Sequence, residues 1–417
     1  MTKLNAARLA QGYAPSGSAV PLVAMLEIAD RCNEVCVHCY QIQGQKGEMT
    51  TEQVYRVLDE LAELGVLYLT ISGGEPTLRK DFLDIVRYAR MRKFAVKIYT
   101  NCLTMKEPLA ARLGELAVQE VQTSLYSHRA NVHDEVTKVR GSWKKTVQGI
   151  RFLVASGVRV IAKSPMMLVN APEYRAYQHF VESLGALCGV DAGGLMPKED
   201  GNRDPQSLSA DEDMYRIMRT DPLLGGKKAI KVRAPASLES APCGASRAGV
   251  HIEANGELRP CSQLDVALGN VVSDGVRSSW ATSPDRHAMA QLRWADHHGC
   301  RDCDLRGYCH RCYAKSYAES GDMLGPYASA CRRALTEYSL AVGRSATVLG
   351  ADSGRDRSLG PYREHKEGYL YAVEDQIKDG DVAFAKRHPW VRRPDGERSL
   401  KQDGTPGRLV QLRLSKS

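Results

Sequence analysis

Three cysteines stand in the stretch Cys32-Asn33-Glu34-Val35-Cys36-Val37-His38-Cys39-Tyr40, in a C-x3-C-x2-C pattern. The apolar run from Pro21 to Ala29 reads as a short buried strand, so the cysteines fall on the loop that leaves it. Three thiolates on one tight loop can hold three irons of a cubane iron–sulfur cluster. The fourth iron is then left to bind another molecule. Zinc would need a fourth nitrogen or sulfur ligand to close its tetrahedron, and the near candidate, His38, is wedged between two of the cysteines. Cysteines that merely pack have no reason to keep this spacing.

Two further constellations carry chemistry. Ser72-Gly73-Gly74-Glu75-Pro76 closes a second apolar run; adjacent glycines let a backbone approach a ligand closely, and Glu75 adds a carboxylate there. Near the other end, Cys243 and Cys261 precede Cys300-x2-Cys303-x5-Cys309-x2-Cys312, and Cys331 follows. Seven cysteines within about ninety residues exceed what packing explains, which leaves iron–sulfur clusters or two zinc sites. The chain has twelve cysteines in all, and disulfides are rare in the cytosol, so the clusters read as metal ligands.

CNEVCVHCY resembles the cluster motif of the radical S-adenosylmethionine (SAM) superfamily, with His38 and Tyr40 flanking the last cysteine. The resemblance implies that Cys32, Cys36 and Cys39 hold a 4Fe–4S cluster whose open iron chelates SAM. It further implies that one electron cleaves SAM to methionine and a 5′-deoxyadenosyl radical that takes a hydrogen from the substrate. Gly73, Gly74 and Glu75 match the family's GGE motif, which binds the SAM amino group. Tyr40 is expected at the cofactor. Asn101 and Cys102 stand where relatives have Thr-Asn-Gly; Cys102 is either a reactive thiol near the radical or a packed small side chain. Ser124 takes the place of a residue that contacts the SAM ribose or carboxylate. Lys138 or Arg140 would neutralise that carboxylate, or both are solvated charges. Lys163, inside an apolar run, either faces a barrel interior or lies at a sheet edge.

The cysteine-rich module resembles the SPASM domain, which carries two auxiliary 4Fe–4S clusters. By that analogy Cys300, Cys303, Cys309 and Cys331 hold the outer cluster, and Cys243, Cys261 and Cys312 the inner one. Three clusters and SAM are therefore the expected cofactors. The usual C-x5-C-x3-C is here C-x5-C-x2-C, a shortening that falls on Cys312. Seven thiolates cannot supply eight ligands, so one inner iron is expected to be open, unless a histidine, a carboxylate or Cys188 closes it. His297, His298 and His310 are spare ligands or exposed loop residues.

These residues must be positioned by the elements between them. Strand-like runs Leu22–Ala29, Leu67–Ser72, Ala95–Thr100, Val121–Ser127, Val158–Met167 and a short one near Val190–Met196 alternate with helical patterns. The helices span Thr50–Gly65, with capping-box spacing at Thr50 and Gln53, then Asp81–Arg92, Lys106–Leu116, Trp143–Ala155 and Glu173–Leu184. Such alternation implies βαβ units and a parallel sheet, either doubly wound or an incomplete barrel. The resemblance selects an α/β fold: a partial (β/α)6 TIM-type barrel with a C-terminal SPASM domain. Sites gather at the carboxyl ends of strands in both architectures, and Cys32, Gly73 and Asn101 all follow such ends.

The expected domains are an N-terminal segment (1–20), the barrel (21–197), a Pro/Gly-rich connector (198–240) with one helix near Asp211–Arg219, the module (241–335), and a C-terminal helix and polar tail (336–417). Within the module, HIEANGELRPC reads as a hairpin with Asn255-Gly256 at its turn. The net charge of +8 is modest, and no nucleic-acid motif accompanies it. No stretch approaches the ~20 apolar residues of a membrane span, and no signal peptide is visible, so a cytoplasmic location is expected.

The resemblance implies a peptide-modifying enzyme, with radical oxidation of a small haem-related molecule or sulfatase-type protein maturation as alternatives. A cluster-bound or zinc-bound binding protein is the non-catalytic rival. A ferredoxin or flavodoxin would supply electrons. Only about thirty residues precede Cys32, so a separate leader-peptide-binding protein, or direct binding, is expected.

Overall fold

The computed structural model describes residues 21–199, 202–224 and 231–342, and the backbone of a short antiparallel pair at Tyr362–Glu364 and Leu370–Ala372. The expected N-terminal segment, and the tail beyond residue 342 apart from that pair, lie outside the described residues.

Six strands follow one another as expected: β1 (Val23–Ala29), β2 (Tyr68–Gly73), β3 (Ala95–Thr100), β4 (Glu120–Ser124), β5 (Val160–Pro165) and β6 (Leu187–Asp191). All are parallel to their neighbours, in the spatial order β6-β5-β4-β3-β2-β1. A doubly wound sheet reverses its order at a switch point. This sheet never does, so successive crossovers of one hand place the helices on one side, as in a partial barrel.

The helices are α1 (Thr51–Glu63), α2 (Phe82–Met91), α3 (Glu107–Glu115), α4 (Ala130–Thr137), α5 (Ser142–Ala155) and α6 (Tyr174–Ser183). At α1 the capping box forms: Gln53 N donates to Thr50 Oγ1 at 3.2 Å, and Thr50 N to Gln53 Oε1 at 2.8 Å. Leu26, Leu69, Ile71, Val96, Ile98, Val121 and Ala162 are buried in one continuous core with the apolar stripes of these helices.

Two elements depart from the sequence reading. The sixth strand starts at Leu187, before the expected 190–196, because Gly185 at positive φ ends α6 and the strand begins two residues later. Helix α4 carries no long apolar stripe; His133 and Thr137 take core positions beside Val132 and Val136.

The module begins by extending the same sheet. Strand β7 (Gly249–Ile252) pairs in parallel with β1, with Val23 opposite Gly249, and β8 (Glu257–Arg259) and β9 (Gly269–Asn270) continue antiparallel. Gly256 turns the expected hairpin at φ 85°. Beyond the barrel lie α7 (Glu212–Thr220), α8 (Val276–Thr282), α9 (Pro284–Gln291), α10 (Tyr313–Ser320) and α11 (Ala328–Val342).

Candidate metal and cofactor site

The Cys32–Cys39 loop leaves the carboxyl end of β1 and is clipped on two sides. On one side Val35 N donates to Thr137 O at 3.1 Å and Val37 N to Val136 O at 3.0 Å, so the last turn of α4 holds the loop between its cysteines. On the other, Gly74 N donates to Ala29 O and Glu75 N to Arg31 O, both at 2.8 Å. This approach explains the two glycines. Gly73 sits at φ 142°, and a Cβ there would come within 2.2 Å of Ala29 O; at Gly74 it would meet Arg31 O at 2.4 Å.

Glu75 is fully buried. Its Oε1 accepts from Thr77 N at 3.1 Å, from Thr100 Oγ1 at 2.7 Å and from the Thr77 hydroxyl; its Oε2 accepts from Asn101 N at 2.7 Å. Burial still holds its carboxyl above the usual range. Asn101 extends the chain of contacts: its Nδ2 donates to Asn33 Oδ1 at 2.6 Å and reaches Cys32 Sγ at 3.8 Å. The GGE stretch, Asn101 and the first cysteine thus form one hydrogen-bonded unit.

The three thiols are unpaired, and burial raises each; Cys32 is pushed up to about 11. A thiolate set needs a cationic partner to persist in such surroundings, which iron supplies. Sequence reasoning missed Tyr126, whose hydroxyl lies 3.6 Å from Cys36 Sγ and whose ring meets His38 edge-on at 4.8 Å. His133 of α4 fixes it by accepting from Tyr126 N at 3.1 Å. No motif marks Tyr126; only its position just past β4 hints at the site.

The inner face of the sheet is polar. Alternation turns Glu27, Ser72, Tyr99, Gln122, Ser124 and Lys163 away from the helix-covered core. Lys163 is exposed on this face, opposite Ser124 in register, and Gly189 beside it leaves room for its stem. Lys138 is exposed at φ 58° just after α4, and Arg140 is exposed nearby; neither forms an ion pair among the described residues. Cys102 is fully buried, with its thiol pushed up to about 12, which fits a packed side chain rather than a reactive thiol.

Tyr40 packs on the core and shares a small cavity wall with Ser262, Gln263 and Leu264 of the module, so it sits where barrel meets module. Beside it, Lys46 Nζ binds Glu199 at 2.7 Å and Glu253 at 2.9 Å, and Arg259 binds Glu253 at 2.9 Å and Asp265 at 2.7 Å. Gln41 donates to Glu27 at 2.6 Å in this seam, where burial lifts Glu27 to about 8 and lowers His251 to about 3.

In the module, Cys300, Cys303, Cys309 and Cys331 line a single cavity with Trp294, Leu305, Arg311 and Tyr327. Cys243, Cys261 and Cys312 form a second group, close enough for their thiolate charges to act on one another. Cys188 packs beside Tyr177 under α6 instead. His297 and His298 are buried, not exposed loop residues: His297 Nδ1 lies 2.6 Å from Arg293 O, and His298 Nε2 lies 2.8 Å from Asp322. His310 is exposed.

The profile of the Radical SAM superfamily matches residues 26–181, which carry the cysteine loop and the GGE stretch. The chain carries a radical SAM domain. The SPASM profile, an iron-sulfur cluster-binding domain, matches residues 243–304, so this radical SAM enzyme also carries a SPASM domain. It is 28% identical over 363 residues to mycofactocin maturase MftC of Mycobacterium tuberculosis, covering 82% of this chain and 91% of the relative. It is 24% identical over 334 residues to the AdoMet-dependent heme synthase of Methanosarcina barkeri, covering 73% and 94%. Among solved structures, SuiB of Streptococcus suis bound to precursor peptide SuiA shares the fold, with a TM-score of 0.58 at 16% identity over 72% of this chain and 74% of that one. Among the described residues no helix is long and apolar enough to cross a membrane.

Proposed function

We propose that this radical SAM enzyme modifies a ribosomally made peptide. Cys32, Cys36 and Cys39 would hold the SAM-binding cluster, with Gly73, Gly74, Glu75, Asn101, Ser124 and Lys138 around SAM and Tyr40 behind the loop. Barrel residues 21–197 would bind cofactor and substrate, and module residues 241–335 would hold two auxiliary clusters on the two cysteine groups. When bound, the cluster and SAM supply a 5′-deoxyadenosyl radical that abstracts hydrogen; the chain positions the substrate and excludes water.

The observation that carries the peptide reading is a groove of about 850 Å³ beside the carboxyl end of β6. It runs from Gly193 and Gly194 past Arg203, Asp211 and Glu212 to Lys315, Glu319 and Arg332. Charges of both signs on its wall suit a peptide with mixed side chains better than a flat apolar macrocycle. The likeness to MftC, a maturase, and to SuiB bound to its precursor peptide supports the same reading. The heme synthase keeps small-molecule oxidation as the second reading. A ferredoxin or flavodoxin would donate electrons, and a separate leader-binding protein would present the substrate. A chain with twelve cysteines in metal-ligand spacings suits a reducing cytoplasm.

The test is anaerobic incubation of reconstituted enzyme, SAM and reductant with a synthetic precursor peptide, chosen from any short reading frame found beside its gene, followed by mass spectrometry. A mass change confined to complete reactions supports the reading. An unmodified peptide, with a tetrapyrrole consumed instead, overturns it.

A further inference from the structure

Arg311 lies between Cys309 of one cysteine group and Cys312 of the other, and it is buried. Its Nη1 donates to Cys300 Sγ at 3.4 Å. Its Nη2 donates to Met323 O and Gly325 O, both at 2.6 Å, and to Ser316 Oγ at 3.2 Å. The guanidinium lies 5.7 Å from the Tyr327 ring centre, and the Tyr327 hydroxyl accepts from Cys312 N at 2.8 Å. The side chain is therefore fixed in place by several groups at once.

Among the described residues Arg311 forms no ion pair, and Nε has no acceptor. Carbonyls, a hydroxyl and an aromatic face satisfy donors but do not neutralise charge. A buried cation without an anion is costly, and a structure keeps one only where a counter-charge is supplied. The ionisable groups acting most strongly on it are Cys300 and Cys309 of the four-cysteine group and Tyr327 and Tyr313. It also acts on Cys243 of the three-cysteine group and on Cys331. A cubane ligated by thiolates carries net negative charge, and positive charge or a hydrogen bond at its sulfurs raises its reduction potential.

We propose that Arg311 is the counter-cation shared by the two auxiliary clusters, and that it holds their reduction potentials up. It is a positioning and tuning residue, not a ligand. This rests on the module's cysteines holding two clusters, a premise that iron counting on the unaltered enzyme tests separately: iron for a single cluster would defeat the premise, whatever Arg311 does.

The experiment is a redox titration of the reconstituted full chain, followed by electron paramagnetic resonance, with iron and sulfide measured on the same samples. Arg311→Gln keeps hydrogen-bond donors and loses the charge. At unchanged iron content it should move the auxiliary signals to lower potential and leave the Cys32–Cys39 cluster where it was. Arg311→Lys, which keeps the charge and loses the fork, should retain the auxiliary potentials. Auxiliary potentials in Arg311→Gln equal to the unaltered enzyme's would overturn the proposal. If Arg311→Gln loads no auxiliary iron, Arg311→Lys decides: loading at unaltered potential supports the charge role, and failure to load refutes it.

Discussion

Replacing Glu75 tests whether the GGE stretch and the cysteine loop are one unit. In Glu75→Ala, Thr77 N–H and the buried Asn101 N–H lose their acceptor, as do two threonine hydroxyls. A buried donor left unpaired costs about 1–3 kcal/mol, so the two backbone groups together predict a loss of about 2–6 kcal/mol. Asn101 also loses the bond that orients it toward Asn33 and Cys32. SAM affinity should therefore fall along with stability, by about ten- to a hundred-fold if a charge-assisted contact worth roughly 1.5–3 kcal/mol goes with the carboxylate. Glu75→Gln retains three of the four acceptor contacts and sets an amide against Asn101 N–H, so its cost should be smaller, about 1–3 kcal/mol. Urea unfolding of the iron-free chain gives the first quantity, and calorimetry of the reconstituted enzyme gives the second. Glu75→Ala with an unchanged unfolding midpoint and unchanged SAM affinity would refute the reasoning.

Gly73→Ala should cost about 3 kcal/mol or more, since φ 142° is strained for alanine and its Cβ would overlap Ala29 O; a unfolding midpoint equal to the parent's would count against the close approach. His133, held neutral by burial with its pKa at about 4 against an ordinary 6.5, binds more protons when unfolded than when folded in that window. Its contribution is full above about pH 6.5 and falls by about 3 kcal/mol as pH drops to about 4; His133→Asn should flatten that part of the stability–pH curve. Lys163→Met should leave stability within about 0.5 kcal/mol, because the side chain is exposed, while lowering kcat/KM if the inner face meets the substrate. Equal kcat/KM would remove Lys163 from the substrate path.

Much of this architecture was legible because its signals are local. Strand and helix periods place β1 to β5 within a few residues, whereas the sorting of the module cysteines into two groups comes from the resemblance to the SPASM domain, since spacing alone would keep Cys312 with Cys309. Periodicity shows that Lys163 alternates with buried neighbours, but it cannot say which side is the barrel interior; the register with Ser124 and Gly189 answers that. Helix α4 is hidden because a histidine and a threonine occupy its core positions, and with it went the clip on the cysteine loop and the role of Tyr126. The glycines of the GGE stretch read as ligand contacts from sequence; the fold adds a second demand on them, the close approach of the cysteine-loop backbone, which no local pattern announces. Tyr40 faces the module because β7 joins the sheet beside β1, a long-range pairing that no local pattern announces.

The most direct measurement is 5′-deoxyadenosine formation by the Cys32→Ala/Cys36→Ala/Cys39→Ala enzyme, reconstituted anaerobically and reduced with dithionite. Without those thiolates the open iron beside the GGE stretch is lost, so the variant should keep the module's iron and make no 5′-deoxyadenosine. Continued 5′-deoxyadenosine formation by the triple variant would contradict the assignment of this loop as the SAM-cleaving centre.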